Sequence, residues 1–106
     1  MLEKHYYKLD FSSVKEFWDI HTTLEKDLDL FDYYGDLDSL YDSLTNMLCD
    51  ISIIEIHGLD KLKKFDNYSK RILEVFYEAK HDWGDEFAKR FFVTIVHSDG
   101  TREEMK

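Results

Sequence analysis

The feature that most constrains the fold is the run ISIIEI at residues 51–56, which is short and almost entirely apolar. Such a run is typical of a central strand that is covered on both faces, as strands are in parallel sheets. Successive parallel strands need crossover connections, and these are usually helical. The run therefore predicts a layered α/β fold, with helical segments before and after it.

Two more segments have the pattern of strands. Residues 3–11 alternate between an apolar and a polar side, which predicts a half-buried first strand, and residues 91–96 (FFVTIV) predict a third strand. The polar segment 98–106 predicts a frayed C-terminal tail. The apolar side of the first strand consists of His5, Tyr7, Leu9 and Phe11.

Four segments between these strands carry helical signals. Ser13 and Glu16 have the spacing of a capping box at the start of the first helix. The predicted helices span residues 13–28, about 36–49, 59–65 and 67–82. The order strand, helix, helix, strand, helix, helix, strand predicts one domain over residues 1–106, in which a three-stranded parallel sheet packs against about four helices.

The charge balance restricts the possible partners. The chain has 23 acidic and 14 basic residues, and a formal net charge of −9. Nucleic acids and anionic membranes bind basic surfaces, so neither is an expected partner, whereas a basic protein is. The excess is concentrated between Glu25 and Asp42, where seven acidic residues accompany only Lys26.

The sequence motifs of enzymes are missing. The chain has no glycine-rich phosphate loop, nucleophile elbow or paired His/Cys metal motif, so neither a cofactor nor a bound metal is expected. Cys49 is the only cysteine, which excludes an intrachain disulfide and, with no run of 18 apolar residues, predicts a cytoplasmic protein. His21 lies on the apolar stripe of the first helix, where a hydrogen-bonded core histidine is expected.

The stretch 33-YYGDLDSLYDSLTNML-48 places acidic side chains where folding alone does not require them. Asp38 and Asp42 are four residues apart on the second predicted helix, so their like charges share one stripe at a cost of roughly a few tenths of a kcal/mol. Aromatic side chains among carboxylates are typical of protein-binding hot spots. Tyr33, Tyr34 and Tyr41 suit a hydrophobic core equally well.

These motifs resemble those of the barstar family of intracellular ribonuclease inhibitors. The resemblance rests on 20-IHTTLEKDLDL-30, 33-YYGDLDSLYDSLT-45 and 75-VFYEAK-80, and it extends from the first strand to FFVTIV. Its most specific element is the Tyr-Tyr-Gly loop that leads into Leu-Asp-x-Leu-aromatic-Asp. It implies a barstar-like fold and a monomeric inhibitor that blocks a small, secreted, basic ribonuclease one to one, without a cofactor.

The resemblance also implies a set of partner-binding residues. Asp42 is implied as the main anchor, taking the place of a substrate phosphate among the arginines and the catalytic histidine of the ribonuclease. Glu78 is implied in a secondary contact with a basic residue, although its helical neighbours Lys70 and Arg71 also allow simple salt pairing at the surface. The full set is Tyr33, Gly35, Asp36, Asp38, Tyr41, Asp42, Met47 and Glu78.

Three departures from the family pattern leave the target open. The loop after Gly35 is one residue shorter than the family's, and Tyr41 stands where the family prefers tryptophan. Met47 or a neighbour replaces an aromatic residue that the family carries after the Leu-Thr pair. The same fold could therefore serve as an immunity or regulatory protein for a different basic toxin or partner. A further alternative is a metal-dependent hydrolase that holds Mg²⁺ with Asp38, Asp42 and Glu78, although the sequence supplies no nucleophile or phosphate-binding loop for it.

Overall fold

The computed structural model describes residues 3–30, 33–46 and 50–106. They form the predicted α/β fold. No helix among the described residues is long and apolar enough to cross a membrane. In chain order the elements are β1 (Lys4–Asp10), α1 (Phe17–Asp27), α2 (Leu37–Thr45), β2 (Ile51–His57), a 3₁₀ helix (Leu59–Leu62), α3 (Tyr68–His81), α4 (Asp85–Ala88), β3 (Phe91–Val96) and β4 (Arg102–Glu104).

The sheet has the strand order β1-β2-β3-β4. β1 pairs with β2, and β2 with β3, in parallel, so that Ile53 lies between Tyr6 and Phe92. This confirms the predicted three-stranded parallel sheet. β4 then pairs with β3 in the antiparallel direction, with Thr94 opposite Glu104, and makes the sheet a mixed one of four strands.

The polar segment that was expected to fray is ordered in part, because residues 102–104 form β4. A tight turn makes this hairpin possible: Gly100 has a φ of 90°, and the Asp99 carboxylate accepts hydrogen bonds from the amide and the hydroxyl of Thr101 (2.9 and 2.7 Å). All three side chains of β4 are exposed. The apolar alternation that reveals a strand in a sequence is therefore absent here.

The prediction that β2 is covered on both faces is wrong. Ser52, Ile54 and Ile56 are buried, whereas the side chains that alternate with them are only partly buried. On this second face Ile53 is flanked by Tyr6 and Phe92, which are 71% and 43% exposed. On its second face, the apolar segment ISIIEI is therefore shielded in part by side chains of the neighbouring strands β1 and β3, and not by a second layer of helices.

α1 begins later than its predicted capping box. The Asp19 carboxylate accepts a hydrogen bond from the amide of Glu16 (2.9 Å), so the box starts at Glu16 and not at Ser13. Before it the chain makes a turn in which the amide of Val14 donates to the carbonyl of Phe11 (3.0 Å), and both side chains are buried. Because this turn is buried, α1 begins at Phe17 and not at residue 13.

The second pair of helices departs from the prediction in two places. The segment predicted at 59–65 is a single 3₁₀ turn, and α4, also a single turn, has no counterpart in the predicted elements. Lys80, which is 7% exposed, holds α4 against α3 because its Nζ donates to the carbonyls of Ala88 (2.7 Å) and Phe91. Burial lowers the pKa of Lys80. α3 matches its predicted span closely.

The helices and the inner face of the sheet share one hydrophobic core. α2 contributes Leu40 and Leu44 to it, and α3 contributes Ile72 and Phe76, all fully buried. α2 and α3 pack against each other. The outer side of α2 therefore lies alongside α3, and the predicted site residues of both helices come onto one surface.

Candidate protein-binding surface

The loop before α2 turns at Gly35, beneath the indole of Trp18. Gly35 has a φ of +80°, and a Cβ at this position would lie 2.7 Å from Cη2 of Trp18. The left-handed backbone favours glycine, and a Cβ here would displace the end of the Trp18 side chain. Trp18 remains 63% exposed, and Tyr34 is 76% exposed. α1 thus adds an aromatic side chain to the surface of the loop.

His21 fixes the loop from the inside. Its Nδ1 is hydrogen-bonded to the hydroxyl of Tyr33, and its Nε2 lies 2.9 Å from the hydroxyl of Tyr68. His21 is 3% exposed, which confirms the predicted core histidine. Burial lowers the pKa of His21 and raises the pKa of both tyrosines. A neutral imidazole therefore ties α1 to the loop and to α3.

Asp36 caps the amino terminus of α2, where helix-start signals had been predicted. Its Oδ1 accepts a hydrogen bond from the amide of Ser39 (2.7 Å), and this bond is the main reason why the pKa of Asp36 lies below its ordinary value. The Ser39 hydroxyl in turn accepts a hydrogen bond from the amide of Tyr34 (3.1 Å). The loop and the first turn of α2 are thus bonded to each other.

Asp38 and Asp42 lie on the exposed side of α2, opposite the buried Leu40 and Leu44. Within residues 3–30, 33–46 and 50–106, neither carboxylate has a hydrogen-bond or ion-pair partner. The two like charges that α2 does not need for its own packing are therefore free to bind a cation from another molecule.

Tyr41 joins α2 to the end of α3. Its hydroxyl donates to Oδ2 of Asp82 (2.8 Å), and this hydrogen bond raises the pKa of Tyr41. The side chain of Trp83 lies close enough to this hydroxyl to shift its pKa in the opposite direction, and the charge of Glu78 raises the pKa of Tyr41 further. Tyr41 and Glu78, predicted from separate helices, are therefore neighbours in the fold.

We call the surface formed by Asp36, Asp38, Asp42, Glu78 and Asp82 the acidic face. All five residues are exposed. The sequence contains no lysine or arginine between residues 27 and 60, and the Nζ of Lys80 is engaged with buried carbonyl groups. The negative charge of the face is thus left without neutralising neighbours along α2. Met47, the remaining predicted residue, lies outside the described residues.

Comparison with known proteins identifies the family. A family model described as Barstar (barnase inhibitor) matches residues 5–96. The chain belongs to the Barstar family. The match includes the whole acidic face and ends at the last residue of β3, so β4 lies beyond it. The Barstar family is one of inhibitor proteins rather than enzymes, which decides against the hydrolase alternative.

One group of side chains in the described part of this Barstar-family chain has metal-ligand geometry. The ligand atoms of Glu3, His5 and Asp50 lie within 4.8 Å of one another. Nε2 of His5 lies 3.0 Å from Oδ2 of Asp50, and this contact is the main cause of the lowered pKa of Asp50. A hydrogen-bonded contact between His5 and Asp50 at the amino ends of β1 and β2 accounts for the group, and none of its members belongs to the acidic face.

Three residues of this surface were not predicted from the sequence: Trp18, Asp82 and Trp83. Trp18 meets the loop only because α1 lies across it, and Asp82 meets Tyr41 from a position 41 residues away. The one available signal is an acidic residue followed by tryptophan at the end of a helix. That signal does not indicate which other element it contacts.

Proposed function

We propose that the chain inhibits a small, basic, secreted ribonuclease of the barnase type by covering its active site with residues 33–36 and α2. The observation that carries this proposal is a pair of carboxylates, Asp38 and Asp42, that have no partner among the described residues and lie beside a loop of fixed shape. A ribonuclease is cationic where it binds RNA phosphates, so a rigid acidic surface competes for that site. The proposed complex is one to one, forms in the cytoplasm and needs no cofactor.

Asp42 is the proposed anchor of the complex. A carboxylate can accept two parallel hydrogen bonds from an arginine, and such charge-assisted bonds are roughly twice as strong as neutral ones. Because Asp42 has no partner among the described residues, it gives up no ion pair of its own on binding. Binding of a cation also relieves its repulsion with Asp38. Glu78 and Asp36 are proposed to flank this contact.

The free protein already holds the loop in one shape, which reduces the entropy lost on binding. Gly35 is packed under Trp18, and the buried Tyr33 is bonded to His21. Tyr33 therefore acts as an internal support in the proposed complex. Its neighbour Tyr34, which is 76% exposed, is proposed to make the partner contact for which the resemblance implied Tyr33.

The proposal is tested with two variants that each remove one negative charge. Asp42→Ala removes the anchor, and Asp60→Ala removes an exposed carboxylate on the 3₁₀ helix, away from α2. We expect Asp42→Ala to raise the dissociation constant for barnase by about 30-fold or more, because truncating one member of a buried charge pair costs about 2 kcal/mol or more. Isothermal titration calorimetry measures both values.

The control separates a specific anchor from a general charge effect. Asp60→Ala should bind barnase with nearly the affinity of the unmodified chain, since exposed charges far from an interface change affinity little. Equal weakening by the two variants would contradict the role of Asp42. If the unmodified chain does not bind barnase at all, the acidic face serves a different basic toxin or partner.

A further inference from the structure

The turn between α3 and α4 carries an aromatic side chain that the proposed loop-and-helix contact does not use. Trp83 is 58% exposed, although tryptophan is among the largest apolar side chains. A single exposed apolar residue needs no explanation by itself. Trp83 is different because it directly follows Asp82, which Tyr41 holds at the border of the acidic face, and because its side chain lies near the Tyr41 hydroxyl.

The position of this turn is fixed from three directions. The Tyr41 hydroxyl holds Oδ2 of Asp82 at 2.8 Å. Gly84, with a φ of 87°, redirects the chain immediately after Trp83. Lys80 bonds α4 to the end of α3 through the carbonyl of Ala88. The backbone of the turn that carries Trp83 is therefore held next to α2.

We propose that Asp82 and Trp83 form an arginine-binding pair that extends the acidic face and helps to select which basic ribonuclease the chain accepts. This inference rests on the proposed function, since it concerns the same partner. The pair lies at the end of α3 and in the turn that follows it, whereas the proposed anchor Asp42 lies on α2.

The chemistry of the pair suits a guanidinium group. A planar guanidinium stacks on the face of an indole while its N–H groups donate to a neighbouring carboxylate. Oδ2 of Asp82 accepts a hydrogen bond from the Tyr41 hydroxyl. The second oxygen of the ionised carboxylate can still accept a hydrogen bond from a guanidinium N–H group. The ammonium of lysine is more strongly hydrated and cannot stack in the same way, so arginine is the better ligand.

The charges around the turn favour a cation over an apolar partner. Asp82 and Asp85 are exposed on either side of Trp83, and Glu78 lies one helical turn before Asp82. Residues 81–88 include no lysine or arginine. Of the two lysines that flank them in the sequence, Lys80 donates to the carbonyl groups of Ala88 and Phe91, and Nζ of Lys89 lies 3.9 Å from Oε1 of Glu86. An apolar side chain docking on Trp83 would bury these carboxylates without compensation, whereas an arginine pairs with them.

The test measures the dissociation constants of the full chain and its variants for barnase. Trp83→Ala should bind at least about tenfold more weakly, because exposed tryptophans that stack on cations behave as hot spots. Trp83→Phe keeps a ring face and should lose less. Tyr6→Ala, which removes an aromatic side chain of comparable exposure (71%) from the far face of the sheet, should bind as the unmodified chain does.

A second readout reports on the positioning role of Tyr41. In a Trp18→Phe background Trp83 is the only tryptophan, so its fluorescence describes this turn alone. Tyr41→Phe removes the hydroxyl that holds Asp82 and contacts Trp83, and should increase quenching of Trp83 by acrylamide. It should also weaken barnase binding by less than Trp83→Ala does. Unchanged quenching would contradict the positioning role, and a larger loss than that of Trp83→Ala would contradict Trp83 as the contact.

The outcomes separate this inference from the proposed function. If Trp83→Ala and Asp42→Ala both lose affinity for barnase while Tyr6→Ala keeps it, the proposed function and the arginine-binding pair are both supported. Loss in Asp42→Ala, with Trp83→Ala and Trp83→Phe unchanged, overturns the arginine-binding pair and leaves the proposed function standing. Absence of binding by the unmodified chain overturns the proposed target and the pair together.

Discussion

The residues of the candidate site fall into two groups: one fixes the shape of the loop, and the other supplies negative charge. Tyr33, His21 and Gly35 fix the loop by buried hydrogen bonds and close packing, whereas Asp38 and Asp42 remain free of partners in the described structure. The first group reduces the conformational entropy that the loop loses on binding, and the second group attracts and binds cationic groups. Substitutions in the first group should therefore lower both the stability and the affinity, whereas substitutions of Asp38 or Asp42 should lower mainly the affinity.

His21 makes the stability of the protein dependent on pH. Burial lowers its pKa, and the opposing influence of the Asp36 carboxylate is smaller. Below about pH 6.5 the unfolded chain therefore binds a proton that the folded chain does not. We expect the free energy of unfolding in urea to fall between pH 7.5 and pH 5.5 by more than in a His21→Gln variant, which cannot titrate at this position.

A matched histidine serves as the control for this prediction. His97 is exposed and lies 3.1 Å from Glu103 on β4. His97→Gln should retain the loss of stability on acidification, because it leaves the buried imidazole in place. If His21→Gln showed the same pH dependence as the unmodified chain, the buried histidine would not be its source.

The sequence predicted the identities of these residues better than their exposure. The pattern left Tyr33, Tyr34 and Tyr41 open between the core and a binding surface, and the resemblance implied Tyr33 as a partner contact. The fold instead buries Tyr33 and exposes Tyr34. That division depends on where His21 lies relative to the loop, which is a tertiary contact between α1 and the chain before α2. Local patterns carry no information about such a contact.

At the scale of elements, periodicity and apolar content predicted the parallel strands, α3 and the general position of α2. They did not predict α4 or β4, because a single turn is too short to show a period and β4 buries no side chain. The start of α1 shifted because the turn before it is buried. Short elements of this kind are specified by tertiary hydrogen bonds and by packing.

Lys80 gives a test of how α4 is held in place. Its Nζ donates to the carbonyls of Ala88 and Phe91, and Lys80→Met would leave both buried acceptors without that donor. We expect the variant to lower the free energy of unfolding by about 1–3 kcal/mol, the usual cost of an unsatisfied buried polar group. Chemical denaturation followed by circular dichroism measures this difference.

Lys70, an exposed lysine on the same helix, provides the comparison. Lys70→Met should change the free energy of unfolding by no more than about 0.5 kcal/mol, as is usual for surface positions. Equal stability of Lys80→Met and the unmodified chain would show that the buried ammonium gains nothing over an apolar side chain, and that α4 is held by other contacts.

At the scale of the whole molecule, the net charge is −9, and the acidic residues are unevenly distributed along the chain. The acidic face gathers residues from α2 and from the end of α3, and the Barstar family, to which the chain belongs, binds ribonucleases. Attraction between such a surface and a basic enzyme acts over about 8–10 Å at physiological salt. It should therefore accelerate association and weaken as salt is added.

The most direct test of this account is a titration of barnase with the full chain, following RNA cleavage at low and at moderate salt. We expect inhibition that is complete at one equivalent, with an association rate that falls as salt rises and an affinity that is greatly reduced in Asp42→Ala. Cleavage that continues undiminished in excess of the chain at low salt would contradict the central claim that the acidic face blocks a barnase-type ribonuclease.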